Sequence, residues 1–382
     1  MIQMATKRFF ILHLKVLLIS SLLISCNNEV SKSIEKTVYF SDLKNNIISC
    51  VINQDGEIIK IDTIKTNSFI KSKNYNSASI KNGLYISNFN PIYDIEKNKV
   101  VFNNDTSIYL RITNDSIIYY DFKEKSINYL EIKNGQKINK FNKNKFEMPI
   151  VNRTPHFEFI SLDFKKVIIP KPNDSIDKNL NKSYTLFVYN IEENKTIDTI
   201  KNVTGTIMSD FSSTISSPSI IWTKNDEFFI ANNFLTEQKC NIKITKYNIT
   251  KKTNEEIAKV NDVKLSTNNG KFKTDFYGNL FYFINQDVYF VNLNTNSISK
   301  NFIFYLNEKF SIKKSNEKYI IQFNNKKISK DYQDFYFNEA SYKVSENFII
   351  VKDKNKYKVW FDANNDFKDI DVNIENDLLG IK

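Results

Sequence analysis

Short apolar segments alternate with polar turns along most of the chain. The segments are rich in β-branched and aromatic residues and are bounded by Asn, Asp, Lys and Ser, which is typical of β-strands. A helical period of 3.6 residues is not sustained anywhere over a dozen residues. The pattern predicts strands at Thr37–Phe40, Ile47–Ile52, Val100–Asn103, Ser116–Phe122, Lys166–Ile169, Tyr184–Ile191, Ile220–Thr223, Glu227–Asn232, Asn241–Ile249, Asn279–Ile284, Val288–Leu293, Lys318–Phe323, Asn347–Lys352 and Tyr357–Phe361.

Several of these strands end in a similar hairpin. An aromatic residue or Val is followed by Asp or Asn, then an apolar residue, a polar turn, and Ser or Thr. The Asx side chain can bond to the backbone two residues later and so set the turn. The Asx residues of the clear hairpins are Asp121, Asn190, Asn248 and Asn292, with weaker relatives at Asn53 and Asp362. We expect the clear turns to occupy equivalent positions of successive repeats.

The spacing of these turns predicts the architecture. The six Asx positions lie 44 to 70 residues apart. A unit of four short strands needs about 40–50 residues, so the shortest interval fits one unit and the longer intervals are expected to contain insertions. Such repetition predicts an all-β β-propeller, in which radial repetition leaves only short edges exposed. Six blades are favoured and seven remain open, while sandwiches and barrels are also built from alternating hairpins.

The N-terminus has the pattern of an export signal. Lys7, Arg8 and Lys15 precede an apolar stretch from Val16 to Ile24, as in the charged and hydrophobic regions of a secretory signal. This stretch is about half of the ~20 residues that a membrane-spanning helix needs. Residues 23–26, Leu-Ile-Ser-Cys, resemble the lipobox of bacterial lipoproteins. The resemblance implies cleavage before Cys26 and attachment of acyl chains to it; the alternative is an ordinary thiol beside a chance hydrophobic run.

The chain is therefore divided into a lipoprotein signal peptide (1–25), a lipidated tether (26–36) and a propeller domain (37–382). Lipobox, polar tether and hairpin repeat together resemble the poorly characterised six-bladed β-propeller lipoproteins of diderm bacteria. The resemblance implies a location in the cell envelope and no particular reaction. In lipoprotein sorting, an Asp directly after the lipidated Cys signals retention at the inner membrane, whereas this chain has Asn27 at that position. By analogy we expect a lipid anchor in the outer membrane, on either its periplasmic or its surface face.

Charge and composition narrow the choice of partners. The formal net charge is +11, but the positive residues are nearly all Lys and are spread along the chain. A nucleic-acid-binding protein would cluster this charge, often with Arg for bidentate contacts. Nucleic acid is therefore not an expected partner, and we expect a monomeric body. The 31 Phe and 20 Tyr residues provide the side chains for a large core.

Besides Cys26, the mature chain has only Cys50 and Cys240, each within an apolar, strand-like segment. A disulfide is allowed in an exported protein. The two residues fall in well-separated repeats, which favours two buried thiols.

No pattern of catalytic or cofactor-binding residues stands out. His156 is the only histidine after the signal peptide, which argues against multi-histidine zinc sites. A Gly-x-Ser-x-Gly motif is absent, and seven glycines provide no phosphate-binding loop. Asp362, Asn364 and Asp366 alternate as in a calcium loop, but Phe367 replaces the required Gly, so we interpret the segment as a solvated turn. We expect no cofactor and no metal.

Two functions remain. The first is a non-catalytic envelope module that binds a glycan, a peptide or another envelope protein on a propeller face. The alternative is an extracytoplasmic carbohydrate-active enzyme, a glycosidase or lyase, which would need two carboxyls about 5–10 Å apart in a cleft.

We place the candidate ligand site at Arg153 and His156. Arg153 has the planar fork that suits a carboxylate or phosphate, and His156 titrates near neutrality. Pro155 stiffens the loop between them. The alternative is that both are ordinary surface residues.

Overall fold

The computed structural model consists almost entirely of antiparallel β-strands. It describes residues 34–42, 46–65, 78–81, 83–87, 91–103, 106–112, 116–131, 136–140, 145–148, 150–151, 154–155, 157–176, 181–206, 218–236, 239–264, 270–284, 287–333, 335, 337, 341–354, 356–372 and 377–382. Within these residues no helix has the length and apolar character needed to cross a bilayer.

Within the described residues the strands form eight sheets of three or four strands each, numbered here as blades, and one separate two-stranded hairpin. Blade 1 contains β1 (Lys36–Ser41), β2 (Ile47–Ile52), β3 (Ile58–Ile64) and the last strand, β33 (Asp377–Ile381). Blade 2 contains β4 (Ser79–Lys81), β5 (Leu84–Ile86), β6 (Ile92–Asp94) and β7 (Lys99–Phe102). Blade 3 contains β8 (Ser107–Ile112), β9 (Ser116–Asp121), β10 (Ser126–Glu131) and β11 (Gln136–Lys140).

Blade 4 follows a two-stranded hairpin, β12 (Ile150–Val151) and β13 (Thr154–Pro155), and a turn of 3-10 helix, Phe157–Phe159. It contains β14 (Lys166–Ile176), β15 (Asn181–Asn190) and β16 (Lys195–Thr206), with Ile160 joined to Val167 of β14 by an isolated bridge. Blade 5 contains β17 (Ser219–Lys224), β18 (Glu227–Thr236), β19 (Lys239–Asn248) and β20 (Thr253–Lys264).

Blade 6 contains β21 (Lys271–Thr274), β22 (Leu280–Ile284), β23 (Asp287–Asn292) and β24 (Ser297–Ser299). Blade 7 contains β25 (Phe302–Tyr305), β26 (Phe310–Ser315), β27 (Lys318–Phe323) and β28 (Lys326–Lys327). Blade 8 contains β29 (Tyr342–Val344), β30 (Phe348–Asp353), β31 (Lys356–Phe361) and β32 (Lys368–Ile370).

The apolar core lies between the blades rather than inside one layer. Each of eight buried clusters is shared by two successive blades, and the series includes one between blades 8 and 1. Each blade therefore buries both of its faces against its neighbours. This circular arrangement is a closed β-propeller, and eight blades fall within the usual range for this fold.

The ring closes through pairing of the two ends of the described chain. Strand β33 pairs with β1 in blade 1, so the C-terminal residues provide one strand of the first blade. Thr37 and Lys382 exchange backbone hydrogen bonds of 3.3 and 2.8 Å. At the same position Gly380 packs against the backbone of Ile80 in blade 2.

The predicted turns share one local geometry. The side-chain oxygens of Asp121, Asn190 and Asn292 accept a hydrogen bond from the backbone N–H two residues later, at 2.9 to 3.0 Å, and that of Asn248 from the N–H three residues later. The fourth residue after each has a positive φ of 49 to 54°. The turns differ in their place within the sheet. Asp121 is the last residue of the second strand of its sheet, whereas Asn248 and Asn292 are the last residues of the third strand of theirs.

The prediction of six or seven blades is wrong, because two of the long intervals contain a complete extra blade. Blade 2 lies between Asn53 and Asp121, and its turn at Asp94 is followed by Asn98 and Lys99 rather than by Ser or Thr. Blade 7 lies between Asn292 and Asp362. Its last turn has only two residues, Asn324 and Asn325, and so lacks the longer Asx pattern.

Candidate functional site

Three aromatic side chains form a ridge between blades 6 and 7, of which two are exposed and the third, Tyr305, is half-buried. Phe276 is 52% exposed and Tyr277 is 58% exposed. The ring centroid of Tyr277 lies 5.1 Å from that of Phe276 and 4.8 Å from that of Tyr305, in edge-to-face contacts. We call Phe276, Tyr277 and Tyr305 the aromatic ridge. Adjacent large rings left open to solvent are characteristic of interaction surfaces, because a folding core would bury them.

A single buried carboxylate holds the ridge in place. Asp275 follows β21, and its Oδ1 accepts hydrogen bonds from the backbone N–H groups of Tyr277 (3.0 Å) and Asn279 (2.9 Å). Its Oδ2 accepts hydrogen bonds from the Asn279 side-chain amide (2.9 Å) and from the backbone N–H of Tyr305 (3.3 Å). Gly278 provides the positive φ of 81° that closes the turn. The ridge is therefore fixed by hydrogen bonds and not by burial of its rings.

A groove of about 480 Å³ runs beside the ridge. We call it the ridge groove; it is lined by Tyr277, Asn279, Tyr305, Glu308, Lys309, Ser311, Asn324 and Asn325. These residues come from the turns β21–β22, β25–β26 and β27–β28 or lie next to them. Turns after the first and third strands of an antiparallel blade lie at the same end, because successive strands reverse direction. The groove thus opens on one face of the propeller.

The charges of the ridge groove are nearly balanced. The Lys309 ammonium group lies 3.1 Å from a carboxylate oxygen of Glu346 and 2.9 Å from the side-chain oxygen of Asn347. Glu308 is the other charged residue of the lining and is exposed. The remaining polar groups are amides and hydroxyls, which both donate and accept hydrogen bonds. The groove is therefore suited to a polar ligand with little net charge.

A second, smaller groove of about 260 Å³ lies between blades 4 and 5. Its lining includes Asp198 to Lys201 of β16 and the turn from Asn248 to Thr253. Its two rings, Phe228 and Tyr247, are stacked on each other at 5.5 Å, and burial raises the pKa of Tyr247. Neither ring is among the exposed large apolar side chains. The ridge groove is therefore the stronger candidate.

The carboxylates of the grooves bear on the enzyme hypothesis. Among the described residues that line the ridge groove, Glu308 is the single carboxylate, and Asp198 is the single one in the smaller groove. Neither lining contains the pair that glycoside cleavage requires. Over the described part of the chain, no three His, Cys, Asp or Glu side chains are grouped closely enough to hold a metal ion.

The residues singled out by the sequence have different outcomes. Cys26, Arg153 and His156 lie outside the described residues, so lipidation and the site at Arg153 and His156 stay predictions. Cys50 and Cys240 are free and buried, in the clusters between blades 8 and 1 and between blades 5 and 6, which confirms two buried thiols.

The segment from Asp362 to Asp366 is a turn, as predicted. Asp362 and Asp366 are exposed, and no described carboxylate or histidine group completes a metal site around them. The side-chain amide of Asn364 donates to the backbone oxygen of Gln54 at 2.5 Å. Asn364 therefore joins blade 8 to blade 1, which is a structural role.

Sequence reasoning missed the ridge, although a signal was present. The five residues Asp275 to Asn279 read Asp-Phe-Tyr-Gly-Asn. Asp, Gly and Asn favour a tight turn, and a tight turn offers no room to bury two neighbouring aromatic rings. The combination predicts exposed aromatic residues, whereas aromatic rings taken alone predict core positions.

Comparisons with known proteins add no functional evidence. No protein-family model matches the chain, and no curated protein matches it. Among solved structures, apo AztD from Citrobacter koseri is similar over 91% of this chain and 98% of its own, with 14% identity and a TM-score of 0.37. Dipeptidyl peptidase 4 from Porphyromonas gingivalis is similar over 90% of this chain, which spans only 60% of that peptidase, with 10% identity and a TM-score of 0.40. At these values the fold assignment rests on the sheets described above.

Proposed function

We propose that this chain is a membrane-anchored module of the cell envelope that binds a ligand or partner in the ridge groove. The observation that carries the proposal is the aromatic ridge, in which Phe276 and Tyr277 are more than half exposed. Their turn is nevertheless held by the hydrogen bonds that Asp275 accepts from Tyr277 and Tyr305 and by the one that Phe276 donates to Tyr305. Holding a site in its binding conformation lowers the entropy lost on association. An exposed but ordered ridge is therefore an arrangement for binding.

The anchoring part of the proposal rests on the sequence before residue 34. Cys26 follows a charged segment and an apolar stretch in the order of a lipoprotein signal. Several acyl chains on one residue would hold the protein stably, because each buried CH₂ contributes roughly 0.8 kcal/mol. Radiolabelled fatty acid is expected to enter the wild-type protein but not Cys26→Ser. Unchanged labelling and membrane association of Cys26→Ser would contradict lipidation.

The binding part is tested without knowing the ligand. Hydroxyl-radical labelling of Tyr277 is compared between the purified protein and the protein on intact cells of the producing strain. Phe234, a 39% exposed aromatic residue of β18, is the internal reference. If a ligand occupies the ridge groove, labelling of Tyr277 relative to Phe234 is lower on cells. An equal ratio in both samples would remove the ridge from consideration.

The same experiment distinguishes a binding site at the ridge from one at Arg153 and His156. The double change Arg153→Ala and His156→Ala is expected to leave the protection of Tyr277 intact if the ridge groove is the site. Loss of protection in this double variant, with an unchanged unfolding midpoint, would favour the segment around His156 instead.

A further inference from the structure

We infer that the ligand of the ridge groove is a neutral oligosaccharide. The inference rests on the proposed binding function and names its ligand class. Three properties of the groove point to it: exposed aromatic rings, a rim of side-chain amides, and the absence of excess charge among its described lining residues.

The ridge provides flat apolar surfaces without an apolar pocket. The rings of Phe276, Tyr277 and Tyr305 meet at 79 to 81°, so each contacts its neighbour by an edge. Among the described residues, the groove lining contains no aliphatic side chain. A peptide anchored by a leucine or valine, or an acyl chain, would need such a pocket to remove its apolar surface from water. A pyranose ring has an apolar C–H face of the size of one aromatic ring and needs only a platform.

The rim provides hydrogen bonds in the form that hydroxyl groups require. Asn324 and Asn325 each have an amide that donates and accepts, and adjacent sugar hydroxyls can do both. The amide of Asn279 has a second N–H besides the one that it donates to Asp275. Asn324 and Asn325 form the turn between β27 and β28, with positive φ values of 48 and 64°. Both are exposed. Because the turn is tight and joins paired strands, the backbone that carries these two amides is held beside the ridge.

The charge distribution favours a neutral rather than an acidic saccharide. Lys309 is the single cation among the described lining residues, and its ammonium group is already 3.1 Å from Glu346. Glu308 adds a negative charge to the same rim. Binding of uronate, sulfate or phosphate groups typically uses arginines or clustered lysines. An acidic ligand would therefore meet repulsion from Glu308 without a second cation in the described lining to compensate for it.

The test is titration calorimetry with Cys26→Ser, which keeps the whole propeller in a form without the lipid. The neutral probes are hexasaccharides of β-1,4-glucan, α-1,4-glucan, xylan and mannan; the acidic probes are oligogalacturonate and heparin fragments. We expect saturable binding of at least one neutral probe. Tyr277→Ala should weaken its Kd about tenfold or more, equivalent to about 1.4 kcal/mol. Tyr277→Phe keeps the ring and should bind as the parent does.

Two further variants separate the rim from general effects on folding. Asn325→Gly removes the amide but keeps the positive φ, so we expect weaker binding with an unchanged unfolding midpoint. Phe234→Ala removes an exposed ring outside the groove and should leave Kd unchanged.

The outcomes distinguish the inference from the function on which it rests. Tighter binding of the acidic probes, or no saturable binding of any neutral probe, overturns the inference. If Tyr277 is nevertheless protected on cells, the binding function stands and its ligand is of another class. If a neutral probe binds but Tyr277→Ala leaves Kd unchanged, the ridge groove is not the saccharide site and the inference fails.

Discussion

Asp275 of blade 6 accepts a hydrogen bond from the backbone N–H of Tyr305 in blade 7, at 3.3 Å. In the other direction, the backbone N–H of Phe276 donates to the carbonyl oxygen of Tyr305 at 2.9 Å. The two blades are thus joined by hydrogen bonds at the point where the aromatic ridge emerges. One carboxylate that is only 7% exposed sets both the turn and the contact between the blades.

Replacing Asp275 should therefore weaken the fold as well as the site. Asp275→Ala leaves the partly buried N–H groups of Tyr277, Asn279 and Tyr305 without the carboxylate that accepts from them. A fully buried N–H group without a partner costs ~1–3 kcal/mol. We expect the free energy of unfolding to fall by about 2 kcal/mol or more, measured by urea denaturation. Asp55→Ala is the control: Asp55 is exposed in the turn before β3, and surface changes usually stay within about 0.5 kcal/mol. Equal stability of the two variants would contradict the role of Asp275.

Gly380 is expected to tolerate no side chain, because β33 approaches blade 2 closely. A Cβ at Gly380 would overlap the carbonyl oxygen of Ile80 and lie 3.0 Å from the Ile80 Cβ. Backbone cannot move aside as a flexible side chain can. Forcing an additional methyl group into a packed contact typically costs about 1–3 kcal/mol. Gly380→Ala should lower the thermal unfolding temperature of the propeller.

A matched control uses another glycine. A Cβ at Gly278 would meet no described atom within 4 Å, and the φ of 81° at this position is one that Asn tolerates. Gly278→Asn should thus be much less destabilising than Gly380→Ala. The reverse order would show that ring closure at Gly380 does not limit stability.

Much of the fold was predictable because strand periodicity is a local property. All fourteen predicted segments overlap a strand, including Glu227–Asn232 in β18 and Asn347–Lys352 in β30. The missed strands are often short or exposed, as in β3, whose central five residues are all exposed. Such strands lack the alternation of buried and exposed residues on which the prediction depends.

The number of blades was not predictable in the same way, because the repeats could be counted only where the Asx turn sequence occurs. In blades 7 and 8 the residue that ends the third strand is Phe323 or Phe361. The next residue, Asn324 or Asp362, donates its N–H to the residue that precedes the second strand. The same hydrogen bond follows Asp121 and Asn190. The same backbone bond thus recurs in blades 7 and 8, where Phe rather than Asp or Asn is the last residue of the strand.

The ridge groove was hidden from the sequence for another reason. Its residues come from segments that begin at 277, 305 and 324, in two blades. Their proximity results from the stacking of blades 6 and 7 and not from spacing along the chain. Only the Asp275–Asn279 turn had a local signature. The prediction of a site at Arg153 and His156 depended on how rare these residue types are in this chain. Rarity of a residue type is weaker evidence for a binding site than a position beside a groove.

The two buried thiols should be inert in the folded protein. Cys50 is 1% exposed and Cys240 is 4% exposed, and burial raises the pKa of each to about 11. At pH 8 only about one thiol in a thousand is then ionised, and the thiolate is the reactive form. In Cys26→Ser, Ellman's reagent should detect almost no thiol before unfolding and two per chain in guanidinium chloride. Rapid reaction in the folded state would contradict burial, and no reaction after unfolding would indicate a disulfide.

Stability should fall in alkali because buried tyrosines resist ionisation. Tyr184 is 2% exposed, and burial raises its pKa to about 12. The pKa of tyrosine in an unfolded chain is about 10. Between pH 10 and 12 the unfolded chain has therefore lost a proton that the folded chain retains. The unfolded state binds fewer protons, so the free energy of unfolding falls as pH rises through this window.

Tyr184→Phe removes one of these ionisable hydroxyl groups, so the free energy of unfolding of the variant should depend less on pH. For a shift from 10 to 12, one tyrosine accounts for about 1.4 kcal/mol of lost stability at pH 11. The measurement is the difference in free energy of unfolding between pH 8 and pH 11, obtained from urea titrations of each protein, so that each serves as its own reference. We expect this difference to be smaller by about 1.4 kcal/mol in the variant. Tyr120 and Tyr332, whose pKa values burial also raises to about 12, preserve a residual decline in both proteins. An identical difference in wild type and Tyr184→Phe would mean that the Tyr184 hydroxyl ionises as readily in the folded chain as in the unfolded one.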